Sequence, residues 1–507
     1  MMLHDFGPAT GSKREGDKPH VPFDWRAKFG LFLSGFALLF LVPVVRAEEE
    51  EVSTPEAAAG EKPPEEEKVA AAPETDAQKQ LKWAIDGYLY EDLRYRNAGG
   101  ENDLDSYTHV FLDATRRAGR PYHFRFNGRL NIDLAGDQKP NDLLRDFWDS
   151  YNGDAQFRLY EAYGDVPHKS VLLRIGRQFL DEGNYFHVDG VRVDVDLSEK
   201  WKGVDLTVIG GIPVRLSGTS TDENWMIGAV LRARINKKTR LRLSYYHVSE
   251  SFPGINSPVV DPPNQPVSIP AGRLDDDLFG FSAWHNFQRT LRFFGRFTLL
   301  NGAANELQLR LRWFTEDGRW TVVADWYQLF ERLNNVTNDL TPYVPMMGSY
   351  QPFWRLGARV TYRPAEVWVI QGGLGWRQLE NTSNEGTFNH SYVNYFVTAT
   401  RLDAWKPGLD VTATLNGYDT SEPQGFLALT TTVDYRINTK VKVSGGIDYS
   451  LYKYIWFSNS ERENVWTYFV RARWELKERV TLTGLVSVDD DRVATWTTVS
   501  VRVTWRF

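Results

Sequence analysis

Residues 122–134 read YHFRFNGRLNIDL. Tyr122, Phe124, Phe126, Gly128, Leu130, Ile132 and Leu134 fall on one side of an extended chain, and His123, Arg125, Asn127, Arg129, Asn131 and Asp133 fall on the other. Residues i and i+2 share a strand face, whereas a helix would scatter both sets around its circumference. The stretch therefore predicts a strand with one apolar and one polar face. The same split recurs at Leu307, Leu309, Leu311 and Trp313 against Gln308, Arg310 and Arg312. It recurs at Trp354, Leu356, Ala358, Val360 and Tyr362 against Arg355, Arg359, Thr361 and Arg363, and at Val499, Val501, Val503, Trp505 and Phe507 against Ser500, Arg502, Thr504 and Arg506.

A soluble sandwich also alternates, so strand length and connection length decide. The alternating runs are about 10 to 14 residues long, which is what a tilted strand needs to cross a bilayer, while ordinary strands average about 5 to 6. Their connections alternate between tight turns, such as Asn236–Lys238, Arg363–Ala365, Asn438–Thr439 and Lys477–Glu478, and longer segments, notably 251–274, 333–351 and 379–389. Short turns at one end and long loops at the other are the asymmetry of an outer-membrane barrel. The pattern predicts an all-β fold over residues 81–507: a transmembrane antiparallel up-and-down β-barrel of about 22 strands (range about 18 to 24), without a plug domain. An even strand number puts both chain ends in the periplasm, the tight turns with them, and 251–274 outside. Trp83, Trp320, Trp368 and Trp376, near strand ends, fit interfacial girdles.

Composition narrows the classes further. The 507 residues include no Cys, 40 Gly and 14% aromatic residues. Without Cys there are no disulfides, thiolate nucleophiles, Cys-ligated metal sites or covalent haem attachment. A polytopic helical protein needs repeated apolar runs of about 20 residues, and only 29–45 resembles one. Residues 1–47 carry a net charge of +2 and residues 48–80 a net of -8, which leaves -1 of the total -7 for residues 81–507. The acidity is that of a short segment, and nothing in the remainder predicts a nucleic-acid partner.

Lys13, Arg14, Lys18, Arg26 and Lys28 precede the apolar run Phe29–Val45, which ends in Val45-Arg46-Ala47. Positive flank, apolar core and small residues before a break predict a secretory signal peptide over 1–47, cut after Ala47. Residues 48–80, rich in Glu, Ala and Pro, bury too little apolar area to offset ordering entropy and predict an acidic disordered periplasmic tether.

Two further runs carry a resemblance. The terminal Val503-Thr504-Trp505-Arg506-Phe507 resembles the insertion signal that the barrel assembly machinery reads in bacterial outer-membrane proteins, with Trp505 and Phe507 as its aromatic positions. Leu173-Arg174-Ile175-Gly176-Arg177-Gln178 resembles the R-x-G-R-Q strand of several porin families, including the phosphate-selective and alginate-export porins. The resemblance implies a porin-like barrel seated in outer-membrane lipid.

If the apolar faces meet lipid, the polar faces line the lumen. Candidate pore-lining residues are Arg232, Arg234, Arg292, Arg296, Arg310, Arg312, Arg355, Arg359, Arg471 and Arg473. Arginines at i and i+2 stand about 6.6–6.8 Å apart on one wall, and guanidinium forks match carboxylate and phosphate. Acidic residues on the same faces, such as Asp194, Asp325 and Asp434, offer neutralising partners. The inward alternates Phe294, Phe314 and Phe469 present a sliding surface for sugars or packing for an infolded loop.

No H-E-x-x-H, G-x-S-x-G or phosphate-loop spacing occurs, and His109, His187, His247 and His390 read as loop or rim residues, so neither catalysis nor a cofactor is expected. The expected function is passive diffusion of small hydrophilic solutes, with a mild anion preference. The alternative is a structural sleeve around a periplasmic multihaem cytochrome.

Overall fold

The computed structural model describes residues 83–116, 121–135, 155–180, 186–214, 223–252, 255–261, 265–269, 272–330, 352–380, 390–420, 425–456, 459–491 and 494–507. The expected signal peptide, the tether and the loop 333–351 lie outside the described residues, as do 381–389. Among the described residues the regular structure is all strand.

In chain order the strands are β1 (Trp83–Ala98), β2 (Glu101–Arg116), β3 (His123–Ala135), β4 (Ala155–His168), β5 (Val171–Leu180), β6 (Phe186–Asp196), β7 (Val204–Pro213) and β8 (Trp225–Arg234). There follow β9 (Thr239–Phe252), β10 (Ile255–Asp261), β11 (Gln265–Ile269), β12 (Gly272–Asn286), β13 (Leu291–Leu300), β14 (Ala303–Phe314), β15 (Trp320–Leu329) and β16 (Phe353–Ala365). The last are β17 (Trp368–Leu379), β18 (Tyr392–Arg401), β19 (Leu409–Thr420), β20 (Gly425–Arg436), β21 (Val441–Trp456), β22 (Asn459–Lys477), β23 (Val480–Asp490) and β24 (Thr495–Arg506).

All but β10 and β11 join in one 22-stranded sheet of antiparallel neighbours, and β1 pairs with β24, so the sheet closes on itself. Beyond the last paired residue, Gly87 and Phe507 exchange two backbone hydrogen bonds of 3.1 Å each. The Phe507 ring lies against Gly87, where a Cβ would come within 2.7 Å of it. Closure leaves no unpaired edge, the condition for a sheet to span a membrane.

Two differences from the sequence reading have local causes. The alternation of connections predicts a longer loop after β1, but β2 begins at Glu101 because Gly99 and Gly100, at φ 58° and 88°, make a two-residue turn of the kind that matches strand twist. The segment 251–274, read as a Pro-rich loop, carries β10 and β11 as a separate two-stranded hairpin. Its prolines tolerate pairing because the ribbon has free edges on both sides.

The apolar alternates face outward. Ile85, Phe124, Ile175, Leu243, Leu311, Leu356, Leu374, Ile447 and Val501 are all exposed, a belt far beyond the scattered apolar residues of a soluble surface. Trp83, Trp313, Trp320, Trp474 and Trp505 ring the belt at the tight-turn end, and Tyr95, Trp225, Trp376 and Trp466 ring it at the long-loop end. On β22 the two rings are eight residues apart, which is about 27 Å along the strand and about 20 Å along the barrel axis after a tilt near 40°. An apolar band of that height between aromatic girdles is a transmembrane β-barrel of the outer-membrane type.

The opposite, lumenal face is not uniform. Over β5–β13, Leu180, Phe186, Val188, Ile209, Met226, Val230, Tyr246, Val248, Leu278 and Leu300 form one buried apolar cluster on the inner side. The rings of Phe186 on β6 and Tyr246 on β9 are 4.9 Å apart, although three strand spacings separate their backbones by about 14 Å. They meet because both long side chains reach across the two glycine-bearing strands between them. An inward Cβ at Gly190 would lie 2.8 Å from the Gly211 Cα, and one at Gly228 would lie 2.3 Å from the Tyr246 ring.

Candidate functional site

Ladder pairing arranges the lumenal side chains in rows across the strands. One row passes from Arg232 to Arg242, Ser282, Arg296, Gln308, Tyr327, Arg355 and Arg377. A second, nearer the tight-turn end, passes through Arg234, Arg240, Trp284, Phe294, Arg310 and Asp325. A third joins Arg292, Arg312, Val323 and Arg359. Eight of the ten arginines singled out in the sequence thus share one stretch of inner wall over β8–β16. Arg471 and Arg473 stand apart on β22.

Compensation by carboxylates is uneven. Arg232 lies 3.5 Å from Asp194, which also accepts the Thr207 hydroxyl and a 2.8 Å bond from Arg192 Nε. Arg296 reaches Glu306 at 3.9 Å, Arg355 reaches Asp325 at 3.8 Å, and Arg473 reaches Glu475 at 3.2 Å. Asp325 is the ladder partner of Arg310, but its carboxylate leans across Gly357, where a Cβ would meet it at 2.7 Å. Glycine there is what lets the acid turn toward Arg355. Arg292 stacks 5.3 Å over Phe314 and Arg359 lies 5.6 Å over Phe396. Among the described residues, Arg292, Arg310, Arg359 and Arg471 have no carboxylate ion pair.

A denser network fills the tight-turn end of β2–β5. His123 Nε2 is 2.9 Å from Asp113 and its Nδ1 is 3.0 Å from Asp165. Arg125 donates two bonds to Asp113, of 3.0 and 2.7 Å, and Arg174 donates two to Asp165, of 2.7 and 3.0 Å. Sequence alone did not single out His123, because its two carboxylates stand 10 residues before and 42 residues after it. At the seam Arg502 and Ser500 both donate to the buried Asp92, each at 2.6 Å. Asp103, Asp105 and Asp133 also converge, but Arg96 stands among them as their counter-charge.

Three residues differ from expectation. His109 is a wall residue on β2, bonded to Asn127 at 2.6 Å and packed between Tyr88 and Tyr90; it is on neither a loop nor the rim. His247 is on β9, facing outward against Asp277. Within the R-x-G-R-Q run, Arg174 faces the lumen, whereas Arg177 points outward and pairs with Asp189 at 2.6 Å. Alternation separates them, so the run does not place two guanidiniums in one pore.

A part of the inner surface that sequence missed is the apolar cluster. Its trace was present: β7 and β8 read VDLTVIGGIP and WMIGAVLRAR, apolar on both faces, where a lipid-facing strand with a wet lumen should alternate.

No family model matches this chain, and no curated protein matches it. Among solved structures, a BenF-like porin from Pseudomonas fluorescens Pf-5 aligns at TM-score 0.44 and 8% identity, over 84% of this chain and 98% of that one. OccAB4 of Acinetobacter baumannii aligns at TM-score 0.41 and 10% identity, over 85% and 99%. OpdK of Pseudomonas aeruginosa, solved with vanillate, aligns at TM-score 0.40 and 12% identity, over 83% and 98%.

Proposed function

We propose that the chain is an outer-membrane porin through which small hydrophilic solutes diffuse passively, with a mild preference for anions. The observation that carries the reading is the uneven compensation of the inner wall. Among the described residues Arg234, Arg292, Arg310, Arg359 and Arg471 have no carboxylate partner, while the lumenal acids Asp92, Asp113, Asp165, Asp194 and Asp325 are each engaged by arginine, and Asp448 on β21 and Asp489 on β23 are bonded to threonine hydroxyls. In a lumen walled by low dielectric such charge is screened less than on an open surface, and it raises the local concentration of anions. Arg232, Arg296, Arg355 and Arg473, each near a carboxylate, line the same path as a partly neutralised background, with Arg234 and Arg312 beside them.

In this reading the tight turns face the periplasm and the long loops face outward. Residues 1–47 are removed on export, residues 48–80 form the tether, and the barrel assembly machinery reads Trp505 and Phe507 during insertion. The test is the reversal potential of the purified barrel in a planar bilayer under a salt gradient, comparing wild type with Arg292→Gln plus Arg310→Gln. Anion selectivity that falls in the double variant supports the reading. A pore that is non-selective, or selectivity that does not change, rejects the anion preference, and haem co-purifying with the barrel would favour the sleeve.

A further inference from the structure

Three neighbouring connections at the tight-turn end share one composition. The β6–β7 connection, 197–203, holds Lys200, Trp201 and Lys202; the β8–β9 connection, 235–238, holds Ile235, Lys237 and Lys238; the β12–β13 connection, 287–290, holds Phe287 and Arg289. They are contiguous along the rim, because the Arg234 backbone N–H donates to the Gly203 carbonyl at 2.7 Å and that of Asn286 donates to the Lys238 carbonyl at 2.9 Å. Five cations therefore stand together with one acid, Glu199. All five are exposed, and none of them has a carboxylate ion pair among the described residues. The connections of the same end from β14 to β23 differ, since they hold four cations against five carboxylates and their charges cancel.

Each of the three connections also exposes one large apolar residue, Trp201 and Ile235 at 61% and Phe287 at 51%. Ile235 continues the outward series of Ile227 and Leu231 on β8, and Phe287 continues that of Phe279 and Phe281 on β12. These two therefore extend the lipid-facing belt by one step. Trp201 is fixed by its own turn, in which its backbone N–H and that of Lys200 both donate to the Leu197 carbonyl, at 2.9 and 3.0 Å. An indole at the edge of the belt belongs at headgroup level, and lysine and arginine stems run along apolar surface to place their charge just outside it. A water-soluble acidic partner would leave the continuation of the belt unexplained.

We propose that this sector of the rim binds anionic phospholipid of the phosphatidylglycerol class in the periplasmic leaflet. A cluster of about four to eight lysines and arginines at a membrane edge attracts anionic lipid, each cation adding to the attraction. The phosphodiester takes the ammonium groups of Lys200, Lys202, Lys237 and Lys238 and the guanidinium of Arg289, and its glycerol headgroup brings no positive charge of its own. Phosphatidylethanolamine would bring an ammonium against these cations. The inference rests on the reading that the tight turns face the periplasm, the side on which an outer membrane presents phospholipid rather than lipid A.

The experiment is native mass spectrometry of the protein as isolated from the outer membrane, delipidated and titrated with dioleoyl-phosphatidylglycerol or dioleoyl-phosphatidylethanolamine. Expected is retention of phosphatidylglycerol about tenfold tighter than phosphatidylethanolamine. Lys200→Gln, Lys202→Gln, Lys237→Gln and Lys238→Gln combined should remove most of that preference and leave phosphatidylethanolamine binding unchanged. The same number of changes across the rim, Arg319→Gln, Lys406→Gln, Lys440→Gln and Arg479→Gln, should leave the preference within about twofold of wild type. All eight positions are exposed, so both variants keep the fold. Equal retention of the two lipids by wild type, or an equal loss in the two variants, would overturn the site. Orientation is read separately: Asn236→Cys supplies the chain's single thiol, and its labelling by an impermeant maleimide on intact cells would overturn the periplasmic placement while the lipid preference of the purified barrel stood.

Discussion

The inner walls of β5–β13 and of β18–β24 are built from the same ladder, yet one is dry and the other wet. In the first, Tyr246, Leu180, Val188 and Val230 are withdrawn from solvent on the lumenal side. In the second, the row Thr398, Thr414, Thr430, Asp448, Thr467 and Asp489 carries short polar side chains. There Thr398 and Thr414 hydroxyls lie 3.0 Å apart, and Asp448 accepts from Thr430. A barrel's β-pairing is indifferent to what fills its interior. Large apolar side chains pack over inward glycines on one wall, while short hydroxyls line the other, so what occupies the lumen depends on side-chain volume as well as strand number.

The largest expected effect tests that asymmetry directly. Tyr246→Ala removes a buried aromatic from the packed wall and should cost about 3–5 kcal/mol, while Thr430→Ala should cost about 1 kcal/mol. Urea unfolding of both variants from lipid vesicles measures the difference, and comparable losses would mean that the packed wall does not bear stability.

Glycines sharpen the contrast at a smaller scale. Gly228→Ala drives a Cβ into the Tyr246 ring and should cost about 1–3 kcal/mol. Gly484→Ala on β23 meets nothing within 4 Å and should be neutral or stabilising by up to about 1 kcal/mol. Thermal midpoints of the heat-modifiable band compare the two, and a reversed order would break the account of Tyr246 packed on Gly228.

Charge is the next lever. If solutes pass along the open wall, Arg471→Gln plus Arg473→Gln should lower the anion-to-cation permeability ratio by about twofold, at least as much as Arg292→Gln plus Arg310→Gln, because a charge acts mainly within about one Debye length. Reversal potentials of the two double variants rank them, and a larger effect at Arg292 and Arg310 would move the path to the packed side.

The smallest effect is at the β14–β15 turn. The Thr315 hydroxyl and the Arg319 backbone N–H both donate to Asp317 and hold its carboxyl below the ordinary value. A carboxyl depressed in the folded state stabilises above its unfolded pKa and loses that contribution as pH falls. Protection of the Arg319 amide in hydrogen exchange should therefore weaken below about pH 4 in wild type, and Asp317→Asn should abolish that pH dependence. Equal pH profiles in the two would show that the ionised carboxylate does not hold the turn.

Alternation alone predicts the barrel, a strand number near 22 and which face of each strand meets lipid, because a period of two is fixed by backbone geometry and the bilayer demands an unbroken apolar face. It pointed to the arginines because alternation assigns each one a side. Tertiary structure decided what each arginine does. Asp325 serves Arg355 because Gly357 leaves room for it to lean, and Asp165 reaches His123 across 42 residues of chain. Such partners depend on register between strands, and alternation within one strand fixes the face a residue takes but not which residue on that face stands opposite it. The apolar cluster of β5–β13 belongs to the same class: VIGGIP has an apolar character that sequence displays, but only the paired wall brings Phe186 and Tyr246 together over its glycines.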